Sequence, residues 1–200
     1  MSSELVKLMQ QTINKRYSEG RLKREGKSWI LQEIRQDTQE VVREQEIRSP
    51  NRNSFAFSLD CPDPKPLAFF SGSPPKGMAR MCDAIMVCAY RQRCYLFLIE
   101  LKTGDEGNYA KQLRNGKIFC DWLLRLYEEH GYHYTPPIFV GLLISFPRGS
   151  SKRKGRTAHD STRNWKREKD VFDYRFDIEN RASVPIVELC HLCESGMNSK

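Results

Sequence analysis

Hydrophobic positions recur along this chain in helical, alternating and continuous patterns, and each pattern predicts a different element. Leu5, Leu8, Met9 and Ile13 recur at helical spacing, which predicts a helix over Ser2 to Arg16. A short basic stretch around Gly20 to Lys27 separates it from a second predicted helix, about Ser28 to Glu46. There Ile30, Ile34 and Val41 align on one face, and Glu33, Asp37, Glu40 and Glu44 follow the same spacing beside it. Between Ser49 and Met78 the prolines Pro50, Pro62, Pro64, Pro66, Pro74 and Pro75 exclude long helices. Phe55 to Leu59 alternates as a short strand does, and Leu67 to Phe70 is a candidate for another. Two stronger strands follow, Met81 to Tyr90 and Tyr95 to Lys102, and the linker around Arg91 to Cys94 is short enough for a hairpin.

Thr103 to Gly107 breaks the pattern and Asn108 suits a helix N-cap. The helix it opens is expected to run to about His130, with Leu113, Cys120, Leu123 and Tyr127 on its buried side and Gly131 just past its end. Ile138 to Phe146 is apolar throughout, as in a strand covered on both faces. Arg148 to Lys169 reads as a loop dense in Lys and Arg. Phe172 to Ile178 alternates as a half-buried strand, and Val184 to Cys190 is expected to form a last one. The order predicts a mixed α/β (α+β) domain over residues 1–200, built on one central mixed β-sheet flanked by helices. Its parts would be N-terminal helices (1–48), a core (79–146), a basic loop (147–170) and C-terminal strands (171–193).

Length and composition narrow the class. The chain has 200 residues, enough for a sizeable core. No apolar run approaches the roughly 20 residues that cross a bilayer, and Met1 to Lys15 has no signal-peptide core. The expectation is a cytoplasmic protein with no membrane partner. Seven cysteines without framework spacing argue against a secreted disulfide scaffold. Cys190 and Cys193 form a CxxC pair around His191, half of a zinc site to which His130 and His133 could add; a reduced structural pair is the other reading. The net charge of +8 suits an anionic partner.

The chemistry concentrates in Cys82-Asp-Ala-Ile-Met-Val-Cys88 and Tyr95-Leu-Phe-Leu-Ile-Glu-Leu-Lys-Thr-Gly104. Alternation puts Glu100 and Lys102 on one face with Leu101 turned to the other. Folding the hairpin back brings Asp83 opposite Glu100 or Lys102, because directly opposite residues share a face; an odd shift would break the cluster. Two carboxylates and a lysine then converge. Hard oxygen ligands of this kind suit Mg²⁺ (or Mn²⁺) held by Asp83 and Glu100, with the Leu101 carbonyl completing the shell. Lys102 could orient a water or stabilise charge on phosphorus. An ordinary cross-strand ion pair is the plainer alternative, disfavoured because both strands read as buried.

Asp83 followed by Glu100-Leu-Lys102 after a hydrophobic strand resembles the core of the PD-(D/E)XK nuclease superfamily, the restriction-endonuclease-like enzymes. The resemblance covers about Arg80 to Phe146. It implies a restriction-endonuclease-like core and a magnesium-dependent endonuclease cutting DNA, with Asp83, Glu100, Lys102 and Gln112 catalytic. Gln112, in Tyr109-Ala-Lys-Gln-Leu113, matches the glutamine that many members carry on the next helix. The chain departs from the pattern at Cys82, where the family has proline; a literal Pro62-Asp63 lies too far from Glu100 to substitute. Some members add a glutamate from an early helix, for which Glu44 lies nearest the apolar face, with Glu33, Asp37 and Glu40 as competitors.

Lys152, Arg153, Lys154, Arg156, Arg163, Lys166 and Arg167 form the expected nucleic-acid-binding segment, with Trp165 among them to stack on a base. A solvated surface loop is the bland reading of the same residues. The expected partner is double-stranded DNA, and a homodimer would cut both strands. The alternatives are a structure-specific repair or recombination nuclease and a non-catalytic nucleic-acid-binding module on the same fold.

Overall fold

The computed structural model describes residues 3–19, 21–34, 40–49, 53–59, 80–103, 109–146, 166–168, 171–177 and 183–198, and over these the chain is mixed α+β. The first helix, α1 (Glu4–Thr12), buries Leu5, Val6, Leu8 and Met9, close to its expected bounds. A short α2 (Arg16–Glu19) follows.

The second helix expected over Ser28 to Glu46 is absent. In its place a hairpin of β1 (Leu22–Glu25) and β2 (Ser28–Ile34) is extended by β3 (Val41–Arg48), all antiparallel. The apolar spacing of Ile30, Ile34 and Val41 is compatible with a helix, but burial follows period two: Trp29, Leu31, Gln45 and Ile47 are buried. Ile34 and Val41 stand opposite each other across the hairpin. The β-branched Ile30, Ile34, Val41, Val42 and Ile47 favour the extended chain, and tertiary pairing overrides the helical reading. Glu33, Glu40 and Glu44 therefore do not lie on an early helix, and Asp37 is outside the described residues. Glu44 accepts from Gln32 Nε2 across the strands at 2.7 Å.

The larger sheet begins with β4 (Ser54–Phe57), β5 (Ala84–Tyr90) and β6 (Arg93–Thr103), again antiparallel. α3 (Tyr109–Glu129) then crosses over to β7 (Ile138–Phe146), which runs parallel to β6, as a helical crossover permits. Gly131 stands just beyond α3 at φ +76°, the left-handed position that terminates helices. From Phe139 on, β7 is buried at every position, as its unbroken apolar run predicts.

β8 (Lys166–Glu168) and β9 (Val171–Asp177) complete the order β4-β5-β6-β7-β9-β8. The backbone of Lys166 and Arg167 is thus an edge strand rather than loop. Lys152, Arg153, Lys154, Arg156, Arg163 and Trp165 lie outside the described residues, as do Leu67 to Phe70 and Asn108.

The C-terminal segment also differs from expectation. β10 (Ser183–Pro185) pairs in parallel with β3, giving the smaller sheet the order β1-β2-β3-β10. Val184 to Cys190 is then mostly helix, in α4 (Ile186–Asn198). Ile186, Leu189, Cys190 and Cys193 recur at i, i+3, i+4 and i+7, and all four are buried, so the helical period governs there. The single central sheet of the sequence reading is therefore two sheets, whose buried residues join one hydrophobic cluster. Among the described residues no helix is long and apolar enough to cross a membrane.

Candidate active site

The site is assembled where β5 begins and β6 ends. Ala84 pairs with Ile99, Ile85 with Leu98 and so on to Tyr90 with Arg93. Continuing that register one step sets Asp83 opposite Glu100, the even relation that brings the three charged side chains together. The ladder stops at Ala84, and the Asp83 carboxylate takes its place. Its Oδ2 accepts from the Leu101 N–H at 2.7 Å. In a strand the N–H and C=O of one residue face the same neighbour, so the Leu101 carbonyl is directed to this side as well.

Glu100 shares a sheet face with Leu98 and Lys102, and α3 covers that face. An ideal Cβ at Gly116 would stand 2.6 Å from Cys82 Sγ and 3.4 Å from Leu98 Cδ2, so only glycine allows α3 this close to the strands. The close approach brings the first turns of α3 over the site. Gln112 Oε1 accepts from Lys102 Nζ at 3.0 Å, and Gln112 Nε2 donates to the Met81 carbonyl at 3.3 Å. Asn115 Nδ2 donates to the Arg80 carbonyl at 2.7 Å. Two amides, three residues apart on one helix, thus hold the segment leading into Asp83.

The electrostatics are unusual. Glu100 is 1% exposed, and its Oε1 lies 2.5 Å from Lys102 Nζ. Its Oε2 is buried with no hydrogen-bond partner among the described residues. Burial and then the negative charge of Asp83 push the Glu100 carboxyl up to about 8, against the opposing pull of Lys102. A buried carboxylate with one unsatisfied oxygen beside a second carboxylate is short of positive charge. That is the condition a divalent cation would relieve. Asp83, Glu100 Oε2 and the Leu101 carbonyl form an all-oxygen set of the kind Mg²⁺ accepts, since it binds through one or two carboxylates and keeps several waters. Among the described residues no group of three or more His, Cys, Asp or Glu could hold a metal ion. Among the described residues, a metal here would rest on two carboxylates and backbone oxygen.

Asp83, Glu100, Leu101, Lys102 and Gln112, the expected site residues of the core, all come together. Arg21 is an addition. It precedes β1, its carbonyl accepting from the Gln32 N–H at 2.8 Å, and its Nη1 lies 3.8 Å from Asp83 Oδ1. Arg43 of β3 stacks over the Phe146 ring at 4.1 Å, at the same end of the larger sheet. The basic stretch around Gly20 to Lys27 was visible in the sequence, but the contact of Arg21 with Asp83 joins residues 62 positions apart in the chain and leaves no local signal.

The cysteine pair sits elsewhere. Cys190 and Cys193 are buried along α4, with His191 between them bonded through Nε2 to Tyr90 Oη at 3.0 Å. The Cys190 thiol is pushed up by a hydrogen bond with Cys88 and by burial, which favours a protonated sulfur over a metal-binding thiolate. No protein-family model matches this chain, and neither does any curated protein or solved structure.

Proposed function

We propose that this protein is a metal-dependent endonuclease of the PD-(D/E)XK type that hydrolyses phosphodiester bonds in double-stranded DNA. The observation that carries the reading is Glu100: a nearly inaccessible carboxylate with one oxygen unpartnered among the described residues, set against Asp83 and tied to Lys102. A plain ion pair would leave no oxygen unsatisfied in the interior, because that costs stability without return.

In this reading Asp83, Glu100 and the Leu101 carbonyl hold Mg²⁺ or Mn²⁺, which would polarise a phosphodiester oxygen and acidify water. The chain's own groups do the rest. Glu100 anchors Lys102, and the Gln112 amide limits where its ammonium can point. From that position Lys102 orients the attacking water or stabilises negative charge developing on phosphorus. Gln112 is a positioning residue, acting through Lys102. Lys152, Arg153, Lys154, Arg156, Arg163, Lys166 and Arg167 supply phosphate contacts, consistent with the net charge of +8.

The test incubates purified protein with supercoiled plasmid, linear duplex and single-stranded DNA in Mg²⁺, Mn²⁺ or chelator. Cutting is expected with metal only, and Asp83→Ala is expected to abolish it while leaving binding in chelator largely intact. An Asp83→Ala protein that cuts like wild type removes the assignment.

A further inference from the structure

α3 turns an apolar pair away from the sheet. Its Ile118 is 66% exposed and its Trp122 55%, the most exposed large apolar side chains among the described residues. They stand one turn apart near the middle of the helix, and the Trp122 ring leans on Phe119 with centroids 5.7 Å apart. Polar residues continue the stripe in both directions, Lys111 and Asn115 before the pair, Arg125 and Glu129 after it. The six positions are separated by four, three, four, three and four residues. That alternation keeps side chains on one seam and is the spacing by which paired helices pack.

The charges along the seam are set against their own helix. α3 has no acidic residue in its first turn and no basic residue in its last. Lys111 instead stands at the positive end of the helix dipole and Glu129 at the negative end, both exposed. A second α3 running antiparallel reverses this arrangement. Turned about a two-fold axis level with Cys120, Lys111 meets Glu129 of the second copy, Asn115 meets Arg125, and Ile118 meets Trp122. Each contact then occurs twice, as an isologous interface requires. Asn115 puts no formal charge opposite Arg125, and its Nδ2 donates to the Arg80 carbonyl at 2.7 Å. Arg114 borders the seam, and its Nε donates to the Ala110 carbonyl of its own helix at 3.3 Å. Parallel helices would instead stack Lys111 on Lys111 and Glu129 on Glu129. A phosphate backbone laid along the seam would be repelled by Glu129 and would find no donor at Ile118.

We propose that this face is a homodimer seam, on which two copies of the chain pack α3 against α3 in antiparallel fashion. Ile118 and Trp122 supply the apolar centre, and the Lys111–Glu129 pairs at both ends fix direction and register. The seam runs about 27 Å along the helix. An interface of one helix pair lies at the small end of specific interfaces, so the dimer is concentration-dependent. The proposal is independent of the nuclease reading. The dimer would carry its two copies of the site near opposite ends of the helix pair, since Gln112 lies at the start of each α3.

Sedimentation equilibrium of the full-length protein, without DNA and at physiological salt, tests it. Wild type is expected to pass from monomer to dimer with rising concentration. Trp122→Ala is expected to weaken the dimer at least about tenfold, because a central aromatic anchor is removed twice. Lys111→Glu and Glu129→Lys each replace two attractive pairs by two repulsive ones and should weaken it several-fold. Combined in one chain, they restore opposite charges across the seam and should return the affinity to near the wild-type value. All three positions are exposed, and circular dichroism checks that each variant keeps its fold. A wild type that stays monomeric up to about 0.5 mM overturns the proposal. A dimer insensitive to Trp122→Ala or to the single reversals, or one that the double reversal fails to restore, places the interface elsewhere and overturns it as well.

Discussion

The β5–β6 pair carries a glutamate cluster at each end, and the two are built on opposite terms. At the hairpin end Glu194 of α4 accepts from Arg91 Nη1 at 2.9 Å on one oxygen and from Tyr95 Oη at 3.3 Å on the other. His191 Nδ1 stands 3.7 Å away, and its other ring nitrogen is engaged by Tyr90. At the open end Glu100 has one oxygen on Lys102, and the other has no hydrogen-bond partner among the described residues. Glu194 retains 18% exposure, so water screens what its partners leave over, whereas Glu100 has 1%. The satisfied acid is a tie that docks a helix on a hairpin. The unsatisfied one has coordination capacity left, and the proposed metal site rests on that difference.

The sharpest way to break this contrast is by activity. Lys102→Ala is expected to lower cleavage by about 10²–10³-fold, the usual cost of one preorganised electrostatic donor. Glu194→Ala should change it by less than about twofold, as for a substitution remote from the chemistry. Equal losses at both ends, measured as single-turnover rates on plasmid, would erase the distinction.

The next largest effect concerns pH. With no cation bound, burial and the charge of Asp83 raise the Glu100 carboxyl from its ordinary 4.5 toward about 8, whereas the unfolded chain releases that proton near 4.5. Between those values the native state binds the extra proton, so stability is full below about pH 4.5 and declines as pH rises toward 8. The slope contributed by this group is up to about 1.4 kcal/mol per pH unit. Urea midpoints in chelator should therefore show a downward contribution over this window in wild type that Glu100→Gln lacks. Identical pH profiles for the two proteins would mean that Glu100 is not the buried acid described here.

Packing beneath the open end gives a third test. Gly116→Ala places a methyl group against Cys82 Sγ and Leu98, and either α3 or the Asp83 segment must yield. Overpacking of this kind costs about 1–3 kcal/mol. Cleavage should fall by more than stability explains, because Gln112 and Asp83 are displaced relative to each other. The smallest effect is expected from Arg91→Ala at the hairpin end. Its guanidinium is 58% exposed, so loss of the Glu194 pair should cost no more than about 1 kcal/mol by thermal unfolding.

Much of this was legible from residue order, for identifiable reasons. The hairpin linker leaves few registers open, and the spacing of Asp83 from Glu100 fits the even one, so a charged cluster could be placed before any coordinates. Gln112 was legible because helix and strand follow one another with little chain between them. The stretch over 28–46 misled because Ile30, Ile34 and Val41 satisfy a helical spacing while a hairpin places Ile34 and Val41 face to face. Near the C-terminus the reverse happened, and a short apolar run read as a strand proved to be the buried side of α4. Short apolar segments carry both periods, and pairing partners decide between them.

What residue order alone determined here is local: which side chains share a face of a strand, where a helix must end, and that two acids and a lysine meet at one strand end. Those outcomes follow from backbone geometry, which acts over a few residues. Tertiary structure decided that the larger sheet's open end would face a second sheet, that Gly116 would let a helix close over it, and that Arg21 would arrive beside Asp83. Such contacts join residues far apart in the chain, and their energies depend on burial and charge that exist only once the whole fold has excluded water.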